Sequence, residues 1–102
     1  MLKDDERRSD PLHPLVVVER VQTGVRLEKR LLKVLKALAE LYEISLGDLL
    51  EGIVLHAFDG KAPFGAESLA RIADLKRVYG LDLDATASHR LKEAPAGGGG
   101  EP

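Results

Sequence analysis

Few side chains in this sequence stand at spacings that do chemistry, and those that do suit recognition better than catalysis. His13, His56 and His89 lie far apart, and none has a metal-spaced partner. Ser88 and His89, with Asp84 nearby, are the residue types of an activated nucleophile, but no nucleophile elbow or Gly-rich oxyanion loop accompanies them. Asp82, Asp84 and Thr86 match the opening of a calcium loop without its glycine or its closing Glu. P-loop and dinucleotide fingerprints are missing. The chain has no cysteine, which excludes disulfides, thiolate zinc sites and Cys nucleophiles. Neither an enzyme nor a cofactor or metal is expected. Two recognition patterns remain. Arg20, Gln22, Gly24 and Arg26 alternate with Val21, Thr23, Val25 and Leu27, and Ser45 precedes Asp48 in the S-x-x-D arrangement of a capping box.

The charge around these residues is uneven. The net charge of −2 over 102 residues looks wrong for a nucleic-acid binder. Yet residues 19–36 hold Arg20, Arg26, Lys29, Arg30, Lys33 and Lys36 against only Glu19 and Glu28, a local +4. Residues 37–60 hold Glu40, Glu43, Asp48, Glu51 and Asp59 with no Lys or Arg, a local −5. Two solvated helix faces of opposite sign would produce the same pattern, so the order of the elements has to decide.

The chain is long enough for one small domain. It is 44% apolar, which suits a folded core, but only 4% aromatic, so that core must be built from Leu, Val, Ile and Ala. No apolar run approaches the roughly 20 residues that span a bilayer, and Met1–Asp10 lacks the apolar stretch of a secretory signal. A cytoplasmic protein is expected.

Four segments emerge. Residues 1–14 are polar, close with Pro11 and Pro14, and read as a flexible arm. Leu15–Leu27 follows, its second half alternating with the period of two of a strand with one apolar face. At Glu28 the period changes: Leu31, Val34, Leu35, Leu38, Ala39 and Tyr42 form one helical stripe, free of Gly and Pro. Ser45 then caps a second helix with the stripe Leu46, Leu49, Leu50, Ile53, Val54, Ala57 and Phe58, stopped by Gly60. Gly52 inside it suggests a close helix crossing. Residues 66–79 make a third helix, stopped by Gly80, and Asp84 caps a short final helix over Ala85–Leu91. The glycine-rich tail, 94–102, reads as disordered.

A lone strand leaves both edges unpaired, and no second strand is visible to join it. A second copy solves this: strand pairs antiparallel with strand across a two-fold axis, and four helices close over the apolar face. The expected dimer core is Val25, Leu27, Leu31, Leu35, Leu38, Leu49, Leu50, Ile53 and Val54.

This succession resembles the ribbon–helix–helix family of bacterial DNA-binding proteins, the Arc/MetJ/CopG type, over roughly residues 20–58. The resemblance implies a mostly α chain with one short β-strand, an intertwined homodimer with a two-stranded antiparallel intermolecular β-ribbon, and here a C-terminal helical extension. Residues 15–60 would be the dimerisation and DNA-binding domain and 61–93 the extension. Family members lay the ribbon in the major groove, which assigns Gln22, Gly24 and Arg26, with Arg20 beside them, to base edges. Arg can bridge guanine O6 and N7, and Gln adenine N6 and N7. Gly24, at the middle groove-facing position, departs from the polar residue usual there and leaves readout to Gln22 and Arg26. The family also binds a phosphate at the start of the second helix, which assigns Ser45, Leu46 and Gly47, while Lys29 and Arg30 reach flanking phosphates.

The function implied is a sequence-specific, nucleoid-associated transcriptional regulator or repressor, bound to double-stranded DNA as a homodimer or a dimer of dimers. The alternative is a protein-interaction module, or an antitoxin-like protein, whose 61–93 segment binds a partner protein.

Overall fold

The computed structural model describes residues 15–95. Within them the order is α1 (Lys29–Leu41), α2 (Leu46–Phe58), α3 (Ala66–Tyr79) and a single 3₁₀ turn over Ala85–Ala87. The arm at 1–14 and the tail from residue 96 onward lie outside the described residues.

The strand expected over Leu15–Leu27 does not form, and the ribbon–helix–helix assignment falls with it. Residues 15–28 carry no regular secondary structure, and no strand occurs among the described residues. Alternation is necessary for a strand with one buried face but not sufficient, because a strand is held by hydrogen bonds to a neighbour. Among the described residues there is no second strand, and no backbone group of residues 15–27 bonds to another of their backbone groups. Val21, Val25 and Leu27 consequently remain exposed.

The helices form where the 3.6-residue period places them. Glu28 caps α1: its Oε1 accepts the N–H of Leu31 at 2.8 Å, satisfying one of the donors left free at a helix start. Ser45 caps α2 by accepting the N–H of Asp48 at 3.0 Å. The final helix shrinks to one 3₁₀ turn, because Asp84 takes the N–H of Thr86 and His89 adopts a φ of 66°. A backbone in that region cannot continue a right-handed helix.

Three helix ends use the same device. After α3, Gly80 at φ 67° lets Leu81 N–H reach Lys76 C=O and its own N–H reach Arg77 C=O. After α2, Gly60 at φ 69° does the same for Lys61 to His56 and Gly60 to Ala57. These are Schellman closures, in which glycine removes the Cβ clash of the left-handed conformation. At the end of α1 the same bonds run from Ile44 to Ala39 and from Glu43 to Glu40, but the left-handed residue is Glu43, at φ 57°. Ile44, the next residue, packs onto the core made by Leu38, Ala39 and Leu49, and that apolar contact holds the turn.

Helix α1 is the centre of the fold. It packs against both α2 and α3, whose backbones stay apart, no Cα of one coming within 8 Å of a Cα of the other. Leu38 (1% exposed), Ala39 and Leu49 are the buried cluster, and Leu35, Tyr42, Ile53, Phe64, Ile72 and Leu75 pack around it. Tyr42 adds a hydroxyl–hydroxyl hydrogen bond to Ser68 of α3. Of the expected dimer core, Leu38 and Leu49 are buried and Leu31, Leu35, Leu50 and Ile53 half-buried, while Val54 is exposed. Among the described residues no atom comes within 4 Å of a Cβ added at Gly52, so none of their helices crosses there.

Replacing Glu43 by glycine relieves the left-handed strain while the turn and the Ile44 contact stay in place. Glu43→Gly should stabilise the chain by about 0.5–1 kcal/mol, net of glycine's greater freedom when unfolded. For a domain of this size that is a rise of roughly 2–8 °C in Tm by calorimetry. An unchanged or lowered Tm would show that Glu43 makes a compensating contact.

Candidate nucleic-acid interface

Residues 15–30 and the two helix starts hold every candidate recognition residue. Leu15 through Leu27 are all exposed, the valines heavily so: Val17 is 96% and Val21 80% accessible. Gln22 and Gly24 are exposed; among the described residues the Gln22 side chain makes no hydrogen bond, and a Cβ on Gly24 would meet nothing within 4 Å. Lys29, in the first turn of α1, is likewise exposed.

The arginines are engaged within the chain. Arg20 makes a two-pronged contact with Glu51 of α2, Nε to Oε2 at 2.8 Å and Nη2 to Oε1 at 2.7 Å. Arg26 grips Glu93 in the same way, through Nε at 3.1 Å and through Nη2. Arg30 donates to Glu28 at 3.0 Å, to the Gly80 carbonyl at 2.9 Å and to Asp82 at 3.1 Å. It thereby ties the start of α1 to the end of α3. Asp82 and Asp84, which in sequence suggest a calcium loop, are thus occupied with Arg30 and Thr86. Lys33 lies over the Tyr79 ring, 5.9 Å from its centroid.

These contacts set the ionisation of their partners. The hydrogen bond from Arg20 holds the Glu51 carboxyl below its ordinary value, and that from Arg26 does the same for Glu93. For Glu28, burial pushes upward, but the bonds from Leu31 N–H and Arg30 prevail and keep the carboxyl low. The guanidinium groups are raised in turn. The Arg20 and Arg26 pairs are exposed to solvent on both sides, so each contributes little to stability.

A groove beside the start of α1 brings some of the candidates together. Its lining includes Arg26, Lys29 and Leu31 on one side and Leu91, Lys92 and Glu93 on the other. Arg20 stands instead beside α2. Ser45, Leu46 and Gly47, at the start of α2, are joined to none of the arginines by a hydrogen bond or ion pair. Gly47 leaves the helix end open, its nearest atom to an added Cβ being Ser45 Oγ at 3.9 Å. The acidic stretch is turned to solvent throughout, with Glu40, Glu43, Asp48, Glu51 and Asp59 all exposed.

Sequence reasoning missed the partners Glu51, Glu93 and Asp82, which lie 31, 67 and 52 residues from the arginines they hold. No periodicity joins residues so far apart. It also missed a second, apolar cleft of about 410 Å³ between α1, α3 and the segment after it, lined by Val34, Leu38, Ile72, Leu81, Leu83 and Leu91 among others. Among the described residues no cluster of three or more His, Asp or Glu side chains could hold a metal ion, and no helix is long and apolar enough to cross a membrane. No family model, curated protein or solved structure matches this chain.

The Glu28–Arg30 contact carries a pH signature. A carboxyl lowered on folding stabilises the fold fully above the ordinary glutamate range, and that contribution is lost as pH falls through the lowered value. Melts recorded from about pH 7 down to pH 3 should therefore show Tm falling in acid, and Glu28→Gln should make the fall shallower. An identical slope in the two proteins would remove Glu28 from the acid response.

Proposed function

We propose that this chain is a DNA-binding regulator of transcription that acts as a homodimer. The observation that supports the reading is the surface formed by residues 15–30. It is exposed along nearly its whole length and carries Gln22 and Lys29 among uncovered valines, together with Arg20 and Arg26, whose ion pairs with Glu51 and Glu93 lie in solvent. The charged and amide side chains are of the types that read base edges and phosphates. The apolar ones call for cover: Val21, Val25 and Leu27 on this segment and Val54 and Phe58 on α2 are all exposed, more than one copy of so small a chain conceals. In the dimer, two-fold symmetry repeats this surface, which suits a site with repeated halves.

Within this reading Gln22 and Arg26 touch bases, Arg20 adds a contact, and Lys29 meets a phosphate. Ser45, Leu46 and Gly47 present the positive end of α2 to another phosphate. Arg20 reaches DNA only by giving up Glu51, and the other acidic residues of the 37–60 stretch face away from DNA apart from that helix start. The net charge of −2 weakens nonspecific attraction, so binding rests on local contacts.

Selection of bound sequences from a random duplex pool, at about physiological salt, tests the reading. An enriched short motif that is palindromic or repeated is expected, together with a dimeric mass in solution. Arg26→Ala should then cost about 1–3 kcal/mol on the selected site while leaving the dimer intact. Lys29→Ala should weaken all sequences alike and reduce the salt slope by about one. A folded dimer that enriches nothing would shift the reading to partner binding through residues 61–93.

A further inference from the structure

We propose that the segment ending in Glu93 is an internal latch that competes with DNA for Arg26. The inference rests on the DNA-binding reading above and names how that surface is regulated.

The competition follows from shared donors. Glu93 takes the Nε and Nη2 hydrogens of Arg26 together, one whole edge of the guanidinium. A guanine edge or a phosphate is recognised by the same two-pronged geometry, so the edge cannot serve both at once.

The segment is placed by the fold and held lightly. The left-handed turn at His89 follows the 3₁₀ turn, and Arg90 donates back to the Thr86 carbonyl at 3.0 Å. Leu91 then lines both the apolar cleft and the Arg26 groove, beside Leu31 in each. It remains 54% exposed, and the Arg26–Glu93 pair is open to water on both sides. An exposed pair of this kind is weak and is screened by salt. The latch therefore lowers affinity without abolishing it. Other nucleic acids or acidic surfaces that displace Glu93 would gain access to Arg26 in the same way, but duplex DNA is the ligand the function implies.

The test is the affinity of the full chain for its selected duplex, by fluorescence anisotropy, for the parent, Glu93→Gln, Arg26→Ala and the double variant. All the altered side chains are exposed, so the fold is retained. Glu93→Gln should tighten binding about two- to fivefold at physiological salt, the range open to an exposed ion pair. In the Arg26→Ala background, measured at low salt where phosphate attraction keeps binding readable, Glu93→Gln should have no further effect. Asp59→Asn removes one exposed acid elsewhere and should leave affinity nearly unchanged. Equal tightening by Asp59→Asn, or a Glu93→Gln gain that persists without Arg26, would assign the effect to net charge and overturn the latch. Equal affinity of parent and Glu93→Gln would overturn the latch alone. Absence of binding by every variant would overturn the DNA-binding reading and the latch with it.

Discussion

Leu38 is 1% exposed and stands where α1 meets the other elements, with Leu49 of α2 in the same buried cluster and Ile72 and Leu75 of α3 packed around it. Because the backbones of α2 and α3 stay apart, the apolar stripe of α1 is what makes them one fold. Removing α3 would leave part of that stripe in water, so the region beyond residue 60 shares the core with what precedes it. The helix caps follow from this arrangement. Glu28 starts α1, Arg30 binds the turn that ends α3, and Ile44 leaves α1 through a strained turn because the core holds it.

Around this small core much large apolar surface is left uncovered. Among the described residues the five buried apolar ones, Val34, Leu38, Ala39, Leu49 and Leu81, are outnumbered by large apolar side chains exposed on the 15–27 segment and on α2. Burying such area is worth about 25 cal/mol per Å², so an uncovered patch of this kind is a standing force toward association. The electrostatic contacts are of another order. The Arg20–Glu51 and Arg26–Glu93 pairs lie in solvent, where attraction is screened and two long side chains lose freedom to hold one geometry. They position a segment but do not fix it, which is why they are open to competition from a ligand of the same charge.

The helices were legible in the sequence because their signals are local. The stripe Leu31–Tyr42 falls on one face by its spacing alone, and Ser45, Gly60 and Gly80 mark ends through chemistry that acts within four or five residues. The end of α1 was not legible, since the left-handed position is filled by Glu43 where a glycine would have announced it. The final helix is shorter than its sequence suggests: Asp84 is a cap in the structure, but what it caps is a single 3₁₀ turn. At the candidate site, the arginines were visible as a basic stretch, whereas the carboxylates that hold them were not.

The sequence by itself determined the three helices, most of their boundaries, the uneven charge and a core built from aliphatic residues, because each depends on neighbours within a few positions. Whether Leu15–Leu27 is a strand was beyond it. Alternation records which side chains want cover, while a strand also needs a hydrogen-bonded neighbour, and the described chain supplies none. Only the tertiary structure decided that, and only it decided which acid each arginine meets. Those pairings depend on where the packing of α1 against α2 and α3 carries residues 31 to 67 positions apart, a distance across which no local pattern reaches.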